Sequence, residues 1–174
     1  ENIFLLFLMV NAKVVAYGWH VPEEILTNDF FVKSPRNPYS VYQGENEKGH
    51  SIFADRRVWL DEEKILKNTG GIKERRRVAE SEDVVDLIEK AFVKTGFDAR
   101  DLDGIVVATI SDEQRFPSVA CRVQERIGAK EIIDYSADIS AACAGFAHAL
   151  DLARWRVSET KRYYLVAGAE TLTK

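Results

Sequence analysis

The chain has 174 residues, 46% of them hydrophobic and 30% charged, which is enough apolar material for one domain with a buried core. Its 24 basic and 28 acidic residues leave a net charge of −4. That balance argues against nucleic acid as the main partner, because phosphate binding needs a basic excess. Two cysteines, Cys121 and Cys143, are too few for a disulfide framework and fit a reducing cytoplasm.

Residues 3–9 form an apolar run too short to span a bilayer. The run also lacks the basic start and the small-residue cleavage site of a secretory signal, so no membrane partner is expected. Met9 followed by VNAK looks like a natural start. Residues 1–8 are expected to be a non-native or upstream segment or a processing feature, and 9–174 the folded part.

Residues 13–17 (KVVAY), closed by Gly18, read as a strand. Thr27 or Asn28 is placed to cap a short helix. Residues 33–58 carry Pro35, Pro38, Gly44, Gly49 and many polar side chains, and read as a loop excursion. Residues 59–68 (WLDEEKILKN) read as a short helix broken by Gly70 and Gly71.

The clearest helix is predicted from Ser81 to Gly96. Val84, Val85, Leu87, Ile88, Ala91 and Phe92 recur at spacings of three and four, and Ser81 is the expected cap. The run IVVAT at 105–109 suits a strand covered on both faces. A helix is predicted to begin at 116–118 (FPS), with Val119, Val123 and Ile127 as its stripe and Gly128 as its stop. Residues 132–139 read as a strand, 144–157 as an alanine- and leucine-rich helix, and 163–167 (YYLVA) as a last strand. This alternation defines an α/β fold with a mostly parallel sheet. The chain stops just past a buried-looking strand, so a partner half is expected.

Cys143, in DISAACAGF at 138–146, falls where a strand gives way to a helix. Free N–H groups and the dipole at a helix start favour an anion, which raises the thiolate fraction of a cysteine. The same amides can hold the oxyanion formed when a thioester carbonyl is attacked. The competing reading is a small buried hydrophobe. Cys121, beside Val119, Ala120 and Val123, is expected to be such a core residue. His148 follows Cys143 by five residues, so at about 100° per residue it points roughly 140° away around the helix and reads as a packed or interface residue. His20 and His50 read as surface residues. No metal spacing links the histidines and cysteines, and no metal is expected.

DISAACAGF, together with FPSVAC at 116–121, GIKERR at 71–76, GIVVAT at 104–109, LVAGAETL at 165–172 and KVVAYGWHVPEEILTN at 13–28, resembles the β-ketoacyl-acyl carrier protein synthase III family of the thiolase fold. These segments cover most of residues 13–174 in the family's order, and AACAGF is the specific part. The resemblance implies a thiolase-like α/β architecture: one βαβαβ half with a mostly parallel sheet and a buried central helix at 144–157, the carboxy-terminal half being absent. It implies an acyltransferase of fatty acid biosynthesis that condenses acyl-CoA, commonly acetyl, with malonyl-acyl carrier protein through an acyl-cysteine.

Cys143 then matches the nucleophile, while Phe116 and Leu172 match acyl-pocket residues. A histidine and an asparagine that assist decarboxylation lie in the family's other half. The family is homodimeric, and coenzyme A enters as a substrate thioester rather than a permanent cofactor. The tryptophan and arginine that hold the coenzyme have no match counting back from Gly71-Ile72; Trp59 and Arg75 are the remaining candidates. The run Arg75–Arg77 reads either as an attractor of phosphate or of an acidic carrier, or as a solvated face. The alternatives are a related synthase with another acyl donor, and a non-catalytic interaction half.

Overall fold

The computed structural model describes residues 12–33, 39–45, 51–58, 60–129, 131–132 and 134–172, the side chains of 39–58 excepted. Trp59, His50 and residues 1–11 therefore lie outside the described residues. The chain divides into two compact units, residues 23–77 in one and residues 1–22 with 78–174 in the other.

In the smaller unit, β1 (Glu24–Thr27) leads directly into α1 (Asn28–Val32). Thr27 is the N-cap but makes no side-chain cap bond. Asn28 is buried instead, donating to the Ile72 carbonyl at 3.1 Å and accepting from Arg75 at 3.0 Å. The loop expected at 33–58 holds two strands, β2 (Tyr39–Glu45) and β3 (Ser51–Val58), paired antiparallel. Aromatic and β-branched residues in YSVY and SIF drive this hairpin, and they outweigh the prolines and glycines around them. Helix α2 (Glu62–Thr69) is capped by Asp61 and stopped by left-handed Gly70 at φ 68°. Then β4 (Glu74–Arg77) pairs antiparallel with β1.

In the larger unit, residues 12–22 form no strand. The run predicted at 13–17 leaves Val14, Val15 and Tyr17 exposed. β-branched composition alone does not make a strand; it needs a ladder neighbour, and the sheet of this unit does not include it. Helix α3 (Val84–Val93) starts two residues later than predicted. Asp83, not Ser81, is the cap: its carboxylate accepts from Asp86 N while the Asp86 carboxylate accepts from Asp83 N. β5 (Leu102–Ala108) follows, with Ile105, Val106 and Val107 fully buried. Helix α4 (Val119–Ile127) is capped by Ser118 and ends at Gly128. β6 (Tyr135–Ile139), α5 (Gly145–Thr160) and β7 (Tyr163–Gly168) complete the unit.

The sheet is parallel throughout, in the order β6-β5-β7. β5 is central because its apolar run is covered on both faces. α3 and α4 pack on one face through Val85, Ile88, Val119 and Val123. On the other face α5 packs through Ala149 and Ala153, against Val106 and Ala108. The expected buried central helix buries only its small-residue stripe, Gly145, Ala149 and Ala153; Phe146, Leu150 and Trp155 on it are about half exposed.

Candidate active site

All three parallel strands end in register, with Ala108 of β5 opposite both Ile139 of β6 and Gly168 of β7. The connections leaving this carboxyl edge carry the three residues singled out for chemistry. Phe116 lies between β5 and α4, Cys143 between β6 and α5, and Leu172 after β7. Ligands of open parallel sheets gather at this edge, because the loops leaving it sit on a rigid base.

Cys143 is exposed, within a 3₁₀ turn (Ala142–Ala144) that runs straight into α5. Ala142, immediately before it, holds φ 45°, a left-handed conformation that costs a residue with a Cβ about 1–2 kcal/mol. No side chain caps α5, whose N-cap is Ala144. Packing holds this turn in place. A Cβ added to Gly145 would lie 3.3 Å from the Ala108 Cβ, and one on Gly168 would lie 3.0 Å from Phe146 Cδ2. The glycines thus let the start of α5 settle onto the ends of β5 and β7.

Upstream, the Asp138 carboxylate accepts from Val119 N at 2.7 Å and Ala120 N at 2.8 Å. It ties the end of β6 to the start of α4. Phe116, 86% exposed, precedes α4 and is joined to Pro117 by a cis peptide bond. Gln114 Nε2 donates to its carbonyl at 2.9 Å. Leu172 is 71% exposed. The charged run 112–115 does not stand loose here: Asp112 pairs with Arg122 of α4 at 2.5 Å, and both side chains are largely buried.

Other predicted residues are placed differently. Cys121 is exposed, not core. At about 100° per residue, Val119 and Val123 both lie roughly 160° from it, so buried neighbours two positions away put it on the outer face. His148 is exposed on α5 rather than packed in this chain, and His20 is half-buried rather than a surface residue. In the smaller unit Arg75 is half-buried on β4, bonded to Asn28 and seated 4.8 Å over the Phe31 ring. Arg77 lies over Phe30 at 5.8 Å and 3.7 Å from Glu24, while Arg76 donates to the Glu23 carbonyl. The solvated-face reading fits Arg76 and fails for its two neighbours, whose cations brace β1 and α1. A cavity of about 490 Å³ in the larger unit lies between α3 and the end of α4, lined by Phe92, Phe97, Arg126 and Ile127 among others. None of the candidate residues reaches it.

Sequence reasoning missed Asp138 and Glu170 as site residues. Asp138 was visible as the acid opening DISAAC; Glu170 had no local signal, because its partners lie about sixty residues earlier.

A parallel α/β sheet with a cysteine at a strand-to-helix turn on its carboxyl edge is the arrangement of a thiolase-like half-domain. Solved structures agree: the chain superposes on β-ketoacyl-[acyl-carrier-protein] synthase III from Thermus thermophilus with a TM-score of 0.70 and 28% identity, covering 93% of this chain and 44% of that one. It also superposes on 3-oxoacyl-[acyl-carrier-protein] synthase III from Aquifex aeolicus with a TM-score of 0.68 and 31% identity, covering 92% and 45%. Within that class the chain corresponds in sequence and fold to the amino-terminal half of β-ketoacyl-acyl carrier protein synthase III. It is 35% identical to the synthase III of Natranaerobius thermophilus over 171 residues, 95% of this chain and 44% of that protein. Over 168 residues it is 39% identical to a synthase III of Vibrio vulnificus, 94% and 45%. The chain thus spans less than half the length of the relatives it matches. No family model matches it.

Proposed function

We propose that this chain supplies the nucleophile-bearing half of an initiating condensing enzyme of fatty acid synthesis. The Cys143 thiolate attacks the carbonyl of an acyl-CoA, commonly acetyl-CoA; the carbon–sulfur bond to coenzyme A breaks, and coenzyme A leaves as its thiolate. Malonyl-acyl carrier protein then loses carbon dioxide, and the resulting carbanion attacks the acyl-cysteine. A β-ketoacyl-carrier product forms and the Cys143 thiolate returns. Groups assisting the decarboxylation are expected outside these 174 residues. A cytoplasmic homodimer belongs to the same reading.

The observation that carries this is Cys143 exposed beside the start of a 16-residue helix that no side chain caps. The helix dipole there, equivalent to roughly half a positive charge, favours the oxyanion that forms when the thioester carbonyl is attacked. Phe116 and Leu172 line the acyl end of the site. A second reading, a related synthase with another acyl donor, is favoured by the unmatched coenzyme-holding residues in 59–69.

The test is incubation with acetyl-CoA and longer acyl-CoA thioesters, then the mass of the peptide holding Cys143. The expected result is a gain of one acyl group, lost in Cys143→Ala. Acyl transfer that persists in Cys143→Ala, or no acylation by any donor, would refute the covalent mechanism.

A further inference from the structure

We propose that Glu170 is a positioning residue that sets how long a chain reaches Cys143, by knotting the segment bearing Phe116 to the segment bearing Leu172. The acyl class of ligand rests on the function proposed above; the knot itself is read from contacts. The Glu170 carboxylate accepts from Ile110 N at 3.1 Å, from Ser111 Oγ at 2.5 Å and from Thr109 Oγ1 at 3.4 Å. The adjoining Thr171 adds two bonds from the same segment: its N–H donates to Ser111 Oγ at 2.7 Å, and its hydroxyl to the Ser111 carbonyl at 3.2 Å. Thr109 and Thr171 are buried, at 7% and 6% exposure, while Glu170 itself is exposed, so the tie rests on one buried threonine in each segment and is open to water at the carboxylate.

Both segments carry a large exposed apolar side chain. Residues 109–120 are held at one end by Glu170, in the middle by the Asp112–Arg122 pair, and at the other end by Asp138. Phe116 projects from this braced segment, and Leu172 directly follows Thr171. Only an acidic side chain satisfies three donors at once. Glutamine would turn an N–H₂ toward one of them, and aspartate would stop one methylene short. The three strands end in register, and the start of α5 meets the ends of β5 and β7 where Gly145 faces Ala108 and Phe146 faces Gly168, so a shift between these two segments would move the walls beside the Cys143 turn.

The test uses alkylating probes, so it does not depend on acyl transfer. The purified protein is labelled with a mixture of iodoacetamide and N-hexyl iodoacetamide, and the product ratio is read by mass on the Cys143 and Cys121 peptides. Cys121, exposed on the outer face of α4, gives the intrinsic probe ratio. Wild-type Cys143 is expected to depart from that ratio. Glu170→Gln and Ser111→Ala are expected to shift the Cys143 ratio by about threefold or more, with Glu170→Asp intermediate and Cys121 unchanged. Where Glu170→Gln fails to fold, Ser111→Ala, the milder change, carries the test.

Gly104→Ala, which crowds β5 at its opposite end, destabilises without touching the knot and should leave the ratio in place. An unmoved Cys143 ratio in both knot variants overturns the proposal, as does an equal shift in Gly104→Ala or a wild-type Cys143 ratio equal to that of Cys121. A shifted probe ratio with no acylation by acyl-CoA would sink the acyl-transfer function and leave the knot standing. Acylation with an unmoved ratio would do the reverse.

Discussion

Replacing Asp138 with alanine is expected to destabilise the protein by about 2–4 kcal/mol, mostly through two orphaned amides. Its oxygens accept from Val119 N and Ala120 N, at 2.7 and 2.8 Å, and those residues are 1% and 0% exposed. A hydrogen bond to a charged group contributes about 1.5–3 kcal/mol, and a buried donor left without a partner costs about 1–3 kcal/mol. Loss of a negative charge beside the start of α4 adds about 0.3–1 kcal/mol. The full sum is not reached, because the Ser118 hydroxyl still caps Cys121 N and the first turn regains some water.

Urea unfolding followed by tryptophan fluorescence reads this directly. With a slope of about 2 kcal/mol per molar, the midpoint falls by about 1–2 M at unchanged slope. Asp138→Asn keeps one acceptor and should fall between the two. An Asp138→Ala protein within about 0.5 kcal/mol of wild type would refute the claim that this carboxylate joins β6 to α4.

Gly104→Ala should cost about 1–3 kcal/mol by overpacking; its Cβ would lie 2.3 Å from Tyr164 Cε1 and 3.1 Å from the Tyr135 carbonyl oxygen, and an unchanged thermal midpoint would count against that packing. Asp98 is held at about 2, below the ordinary 3.8, first by the Arg100 side chain and then by the Arg100 amide. Its folded value lies below its unfolded one, so its stabilising share is present above the ordinary value and is lost as pH falls through about 2. An NMR titration should show that midpoint, and Arg100→Ala should return it toward 3.8; a midpoint that ignores the arginine contradicts the contact. Ala142→Gly relieves a left-handed φ of 45° and should be neutral or stabilising by up to about 1 kcal/mol, whereas a clear loss in calorimetry would deny the strain.

The parallel sheet was legible because β5 is an apolar run closed on both faces, and such a run has few other places to go. The helices were legible from their stripes, though the start of α3 was not. Asp83-x-x-Asp86 spells a reciprocal cap as plainly as Ser81 spells a simple one, and the choice between them is made by geometry. Strands β1 and β4 left no signal, since EILT and ERRR have little apolar alternation and exist by pairing with each other. The 13–17 run failed for the converse reason: it has strand composition without a ladder in this unit. Of the site, the Cys143 turn was readable locally. Asp138 reaches across nineteen residues and Glu170 across about sixty, and contacts at such range leave no trace in a local pattern.

The way α5 is held explains why its amino terminus can do without a side-chain cap. Most helix starts are fixed by a polar side chain that takes up the free amides, and a nucleophile placed there would compete with its own cap. Here Ala144 occupies the cap position and supplies no acceptor. Position is set by contact instead: Gly145 against Ala108, Ala149 and Ala153 flat on the sheet, and Phe146 over Gly168. Small residues along one stripe let the helix axis approach β5 closely enough for packing to replace the missing hydrogen bond. The amides at the start of α5 therefore stay free of any side-chain cap while the turn carrying Cys143 stays fixed. An oxyanion site needs both conditions together, donors already aimed and not already occupied.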